Sequence, residues 1–208
     1  MDIYEAIASR RTIREFEERE VPDEVLERIL DAGIKAPTNN HMRSWEFVVV
    51  SDKAVRAQIL ESIPQTVSKE RVEEILTAWD LTDERQRDMY FDAIPKQYAM
   101  LYRAGVLILP FFKQETPLLA PKVINDLNGF ASMWCCIENI LLTAAAEGLF
   151  GVTRIPFSGE IERIRTVIGH PKNYVMPCYL ALGYPAKDAV RTEQYRFTAR
   201  EKIHKNHW

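Results

Sequence analysis

Three arginines stand within five residues in the stretch SRRTIREF, residues 9–16: Arg10, Arg11 and Arg14. Guanidinium forks bind phosphate oxygens bidentately, and each charge-assisted bond contributes about 1.5–3 kcal/mol. A converging set could therefore hold a phosphomonoester dianion, with the Thr12 hydroxyl as a further donor. Arg10 and Arg14 are four apart and would share a helix face, while Arg11 would point about 100° away. If a helix ends before them, all three can meet at one point. The competing reading is a solvated face in which they pair with Glu15, Glu17 and Glu18. A nucleic-acid surface needs a broader basic stripe than these acidic surroundings provide.

The chain as a whole does not attract anions. It carries 27 Lys and Arg against 30 Asp and Glu, a net charge of −3, so an anion site has to be local, and neither nucleic acid nor a membrane surface is an expected partner. A length of 208 residues, 47% hydrophobic and 27% charged, fits a single domain over 1–208 with room for a substantial core. Cys135, Cys136 and Cys178 make an odd count, two of them neighbours in an apolar run, and read as reduced core residues of a cytosolic protein. The first residues, MDIYEAIASRR, lack the pattern of a leader. No stretch reaches roughly 20 uninterrupted apolar residues. The expectation is a soluble, cytoplasmic protein.

The elements that must position the arginines follow from periodicity and punctuation. Asp2 and Glu5 resemble a capping box opening a helix over about 2–10, which puts the arginines at its exit. Pro22 and Asp23 open a second helix with Val25, Leu26, Ile29, Leu30 and Gly33 on one face, stopped by Pro37. WEFVVV reads as a strand at 45–50, and Ser51 or Asp52 can cap a helix running to Pro64. Residues 68–103 read as helical, with Ser68 and Thr82 as caps. Their aromatic residues Trp79, Tyr90, Phe91, Tyr98 and Tyr102 serve either as core or as a lid. A buried strand at 105–112 precedes a long helix over 126–147 that is apolar nearly all round and ends at Gly148. FGVTRIP is a short strand or an extended loop, SGEIERIRTVIG a helix closed by Gly169, and 174–185 a strand whose Pro177 marks an edge or a bulge. The order predicts a single α+β or α/β domain with a small central sheet. The polar tail after Pro185 ends in Trp208 and is expected to pack on something else, such as a second subunit. His204 and His207 read as surface histidines, since no third metal ligand has suitable spacing.

Four motifs in order, RRTIREF, APTNNHMRSWEFVVV, LALGYP and RFTAREKIHKNHW, resemble the flavin-dependent nitroreductase family over nearly the whole chain. The resemblance implies a nitroreductase-like α+β fold, with a central mainly antiparallel sheet flanked by helices. It also implies FMN at the interface of a homodimer, with a C-terminal extension of about 186–208 embracing the partner. By that resemblance Arg10 binds the FMN phosphate, Arg11 and Thr12 the phosphate or ribityl chain, and Arg14 the N1/O2 edge of the isoalloxazine; Arg196 is a further phosphate ligand. Pro37, Thr38 and Asn39 of the second subunit would lie along the flavin with His41, and the backbone around Ile155 would approach N5. A fixed cation beside N1/O2 favours the reduced flavin, which accumulates negative charge there. The absence of a Gly-x-Gly-x-x-Gly turn after a strand agrees with a transient NAD(P)H rather than a dinucleotide held in the Rossmann manner.

The implied activity is an FMN-dependent NAD(P)H oxidoreductase that reduces a flat electron-poor small molecule, a nitroaromatic or quinone, in a ping-pong cycle. Reductive dehalogenation or flavin fragmentation is an alternative chemistry, and storage or sensing of FMN an alternative of another class. The sequence departs from the family pattern in two places. Arg43 and Ser44 replace the usual Gln-Pro before the Trp, and GLFGVTRIPF replaces a glycine-rich element. In the second, Pro156 cannot donate a backbone hydrogen bond and Arg154 brings an extra cation.

Overall fold

Strand β2, Val106–Lys113, is buried along nearly all its length because helices cover both faces of the sheet it centres. The computed structural model describes the chain apart from Gln194, Arg196 and the side chain of Ser158. The sheet order is β1 (Trp45–Val50), β2, β5 (Tyr179–Gly183), β3 (Phe150–Arg154), and every neighbouring pair is antiparallel. The two-residue β4, Tyr174–Val175, continues the β5 side of β2. Ile108 faces Leu180 and Phe112 faces Val175, so four steps on β2 oppose five on its partner. This is a bulge, and it lies where Pro110 and Pro177 both lack the N–H that ladder pairing needs.

Alternation along β2 and β5 divides the core into two layers. Val106, Ile108, Phe112, Leu180 and Leu182 pack with α2 (Asp23–Gly33) and the long helix α7 (Asn128–Ala146). Leu107, Leu109, Phe111, Tyr179 and Ala181 pack with α3 (Lys53–Ile59), α6 (Gln97–Tyr102) and α8 (Ser158–Ile168). The fold is therefore α+β, with a mainly antiparallel sheet between helical layers. Gly33 is required where α2 meets α7: a Cβ there would come within 2.6 Å of Ile140. By length and composition, Ile124–Ala146 could cross a membrane; here it lies against α2 and the sheet, one-third buried.

Several boundaries differ from the expectations. The helix after β1 stops at Ile59, short of Pro64, and its cap is Asp52. Residues 68–103 form three helices, α4 (Lys69–Ala78), α5 (Glu84–Ala93) and α6. Asp83, not Thr82, caps α5, because its carboxylate reaches the Gln86 N–H. Cys136 and Cys178 are buried, and burial pushes both thiols up to about 12, whereas Cys135 is exposed on the outer face of α7 and is not a core residue of the single chain. The tail makes a contact within its own chain: Tyr195 donates to Asp83 and lies under Arg85.

Candidate functional site

The arginines lie where α1 (Ile3–Ser9) gives way to an extended segment. Asp2 and Glu5 form the full capping box, which fixes the start of this short helix, and Arg10 is its C-cap residue. Beyond it the chain runs alongside the free edge of β3: Thr12 bridges Gly151 in parallel and Ile13 donates to Gly151 O at 3.2 Å. Ile13 is 1% exposed and anchors the segment. Because both strands run the same way, Arg14 and the end of β3, followed by Ile155, lie at the same end of this edge.

The guanidinium groups do not converge. Arg11 folds back on its own backbone, donating to Ala8 O at 2.8 Å and Arg10 O at 2.7 Å. Arg10 faces Glu138 on α7 at 3.6 Å, and Arg14 faces Asp92 on α5 at 3.6 Å. Both separations exceed hydrogen-bonding distance, so the donors of Arg10 and Arg14 have no hydrogen-bond partner among the described residues. Burial lowers the proton affinity of Arg14, opposed by Asp92 and Glu15, and the group remains a cation at any ordinary pH. The expected partners Glu17 and Glu18 make no ion pair with these arginines among the described residues.

The loop from Pro37 to Ser44 belongs to the other edge of the sheet, entering β1. Asn40, His41 and Arg43 all take left-handed φ values, 52°, 54° and 45°, an unusual cluster for residues with side chains. The Asn39 N–H lies 3.4 Å from Ser132 Oγ at the start of α7. Thr38, Asn39, Arg43, Trp45, Lys113 and Asp126 contribute to a cavity of about 220 Å³. His41 is exposed and outside that lining. Ile155 is 66% exposed between β3 and Pro156. Arg196 lies outside the described residues, so its expected role has no structural counterpart here.

Arg154 is not the free cation that the sequence suggested. It is buried, forms a bidentate pair with Glu160 (2.5 and 2.8 Å) and donates to Gln97 at 2.9 Å. Tyr179 donates to the same Glu160 at 3.0 Å, and burial together with that carboxylate raises its phenol. The aromatic residues divide: Trp79 packs edge-on against Tyr90 at 5.3 Å within the α4–α5 hairpin, whereas Tyr98 and Tyr102 stack against the second core layer. Sequence reasoning missed Asp92, Lys96 and Glu160. The four-residue spacing of Asp92 and Lys96 is legible, but nothing local in the sequence ties them to Arg14.

Comparison with known proteins decides the family. The nitroreductase family model matches residues 7–184, from within α1 to just beyond β5. The chain belongs to the nitroreductase family. As a member it is an oxidoreductase. A Methanothermobacter thermautotrophicus protein that bears the provisional name NADH dehydrogenase/NAD(P)H nitroreductase is 27% identical over all of this chain and 88% of its own length. Iodotyrosine deiodinase 1 of Sus scrofa is 31% identical over 91% of this chain, which spans 63% of that protein's length. The fold matches a crystal structure of oxidised iodotyrosine deiodinase bound to FMN and 3-iodo-L-tyrosine with a TM-score of 0.72 at 19% identity, covering all of both chains. The nitroreductase-family relatives thus divide between two chemistries.

Proposed function

We propose that the chain is an FMN-dependent NAD(P)H oxidoreductase that reduces a flat, electron-poor small molecule such as a nitroaromatic or a quinone. The observation that carries this reading is the pair Arg10 and Arg14. Both are held in place by ordered backbone, and both have their acidic neighbours at 3.6 Å, leaving donors open to an anion. FMN offers two such places, its phosphate and its N1/O2 edge, and the residues fit it on those terms. Bound FMN would supply hydride acceptance from NAD(P)H and electron delivery to the acceptor in two alternating half-reactions.

The chain's own residues would position and polarise. Arg10, with a side chain 28% exposed at the α1–α7 contact, would neutralise the phosphate, with Thr12 beside it. Arg14, more deeply placed, would stabilise negative charge on the ring edge without reorganising. Arg11 is committed to backbone carbonyls and has to turn out of that arrangement to act as a ligand. Ile155 would present backbone near N5, its strand end fixed by the Arg154–Glu160 pair. Pro37, Thr38, Asn39 and His41 would reach the flavin from a second copy. Support for a homodimer comes from the apolar outer face of α1, where Ile3, Tyr4 and Ile7 are more than half exposed. The tail would embrace that copy, and a cytoplasmic location follows the same reading.

Reductive dehalogenation is the second reading, favoured by the deiodinase relatives. One anaerobic experiment separates the alternatives. The FMN-loaded protein is mixed with NADH or NADPH, then with a nitroaromatic, a quinone or 3-iodotyrosine. Bleaching of the yellow band followed by reoxidation with the first two acceptors supports the proposal. Iodide release at a higher rate than either supports dehalogenation, and failure to bleach with either nucleotide overturns the NAD(P)H reading and favours storage or sensing of FMN.

A further inference from the structure

Arg14 is one corner of a four-charge cluster. Its Nη1 lies 3.6 Å from Asp92 Oδ2, and Lys96 Nζ is ion-paired with both Asp92 and Glu15. The second Glu15 oxygen, Oε2, is buried without a hydrogen-bond partner. Two cations face two carboxylates, so the cluster is neutral, and the Tyr90 phenol also faces Arg14. The four side chains are 12–28% exposed, where water screens charge only in part. Asp92 lies in the last turn of α5, and Lys96 immediately precedes α6. The α4–α5 hairpin has its own small core around Val72, Leu76 and Ile94, so the cluster is also a place where that hairpin is fastened to the arginine segment.

We propose that Asp92 and Lys96 set the charge that Arg14 presents to the flavin: Asp92 is its internal counter-ion, and Lys96 offsets Asp92 and Glu15. They are positioning residues for the redox chemistry of the site, and this inference rests on the FMN reading above. The sign of each effect follows from charge. Asp92→Asn leaves the cluster with one excess positive charge and favours the reduced, more negative flavin. Lys96→Met leaves one excess negative charge and does the opposite.

The test is the reduction potential of FMN bound to the full-length chain, measured by equilibration with a reference dye. Asp92→Asn is expected to raise the equilibrium constant for reduction about tenfold, about 30 mV for a two-electron couple, and Lys96→Met to lower it by a similar factor. Asp92→Glu keeps the charge and should return the constant to within about threefold of the parent chain. Shifts of opposite sign support the assignment, since general loosening of the fold would move both variants the same way. Shifts of one sign, or none, overturn it, and if one variant fails to fold, the sign of the other decides. Failure of the unaltered chain to take up FMN overturns the FMN reading itself and is seen before any variant is made.

Discussion

Arg10 and Tyr179 show how differently one side chain can matter at the residue scale. Arg10 contributes little to the fold, because its pair with Glu138 is long and partly exposed. If it holds a phosphate, Arg10→Ala loses a charge-assisted bond worth about 1.5–3 kcal/mol, which weakens FMN retention about 10- to 100-fold. Flavin content after purification and a titration of the apoprotein measure this; an unchanged dissociation constant would remove Arg10 from the phosphate site. Tyr179, by contrast, is fully buried against Glu160, and its phenol is raised above the ordinary value of about 10. Below that value the phenol is protonated in both folded and unfolded chains, and its contribution to stability is complete. Above it the unfolded chain releases the proton and the folded one resists, so stability falls as pH rises. Urea midpoints measured between pH 9 and about 11 should decline, and Tyr179→Phe should flatten that decline.

At the scale of elements, Arg56 joins separate segments of the chain. It is 1% exposed, pairs with no carboxylate among the described residues, and its guanidinium donates to Val50 O, Tyr102 O and Ala104 O. These carbonyls belong to the end of β1, the end of α6 and the approach to β2, so one cation joins three chain segments. Arg56→Met should cost about 3–5 kcal/mol, because it leaves buried carbonyls unpaired, and should lower the denaturant midpoint accordingly. A loss below about 1 kcal/mol would show that water replaces the guanidinium. Most of the elements themselves were legible. The Asp2–Glu5 box, the WEFVVV strand, the Pro177 bulge and Gly169, whose φ is 72° at the end of α8, each carry a local signature. Within 68–103 the Ser68 cap and the break near residue 82 were legible, with Asp83 in place of Thr82, whereas the break between α5 and α6, which has no side-chain cap, was not.

For the whole molecule, the homodimer proposed above would cover the exposed apolar outer face of α1. If the site is shared, sedimentation should give twice the mass of the chain. Tyr4→Asp combined with Ile7→Asp should give monomers that lose FMN together with dimerisation. Monomers retaining full FMN affinity would show that one chain suffices.

The sequence by itself determined a single α+β or α/β domain with a small sheet, the family resemblance, which implied that the sheet is mainly antiparallel, and the candidacy of Arg10 and Arg14, because caps, strand alternation and motif order are local and read along one dimension. Only the tertiary structure decided what each cation faces. It turned Arg11 onto its own backbone, neutralised Arg154 with Glu160 and set Asp92 and Lys96 beside Arg14. Residues 14 and 92 are brought together by the packing of α5 and α6 beside the segment that follows α1, and the electrostatic field at a point depends on such distances through space, which no local spacing encodes.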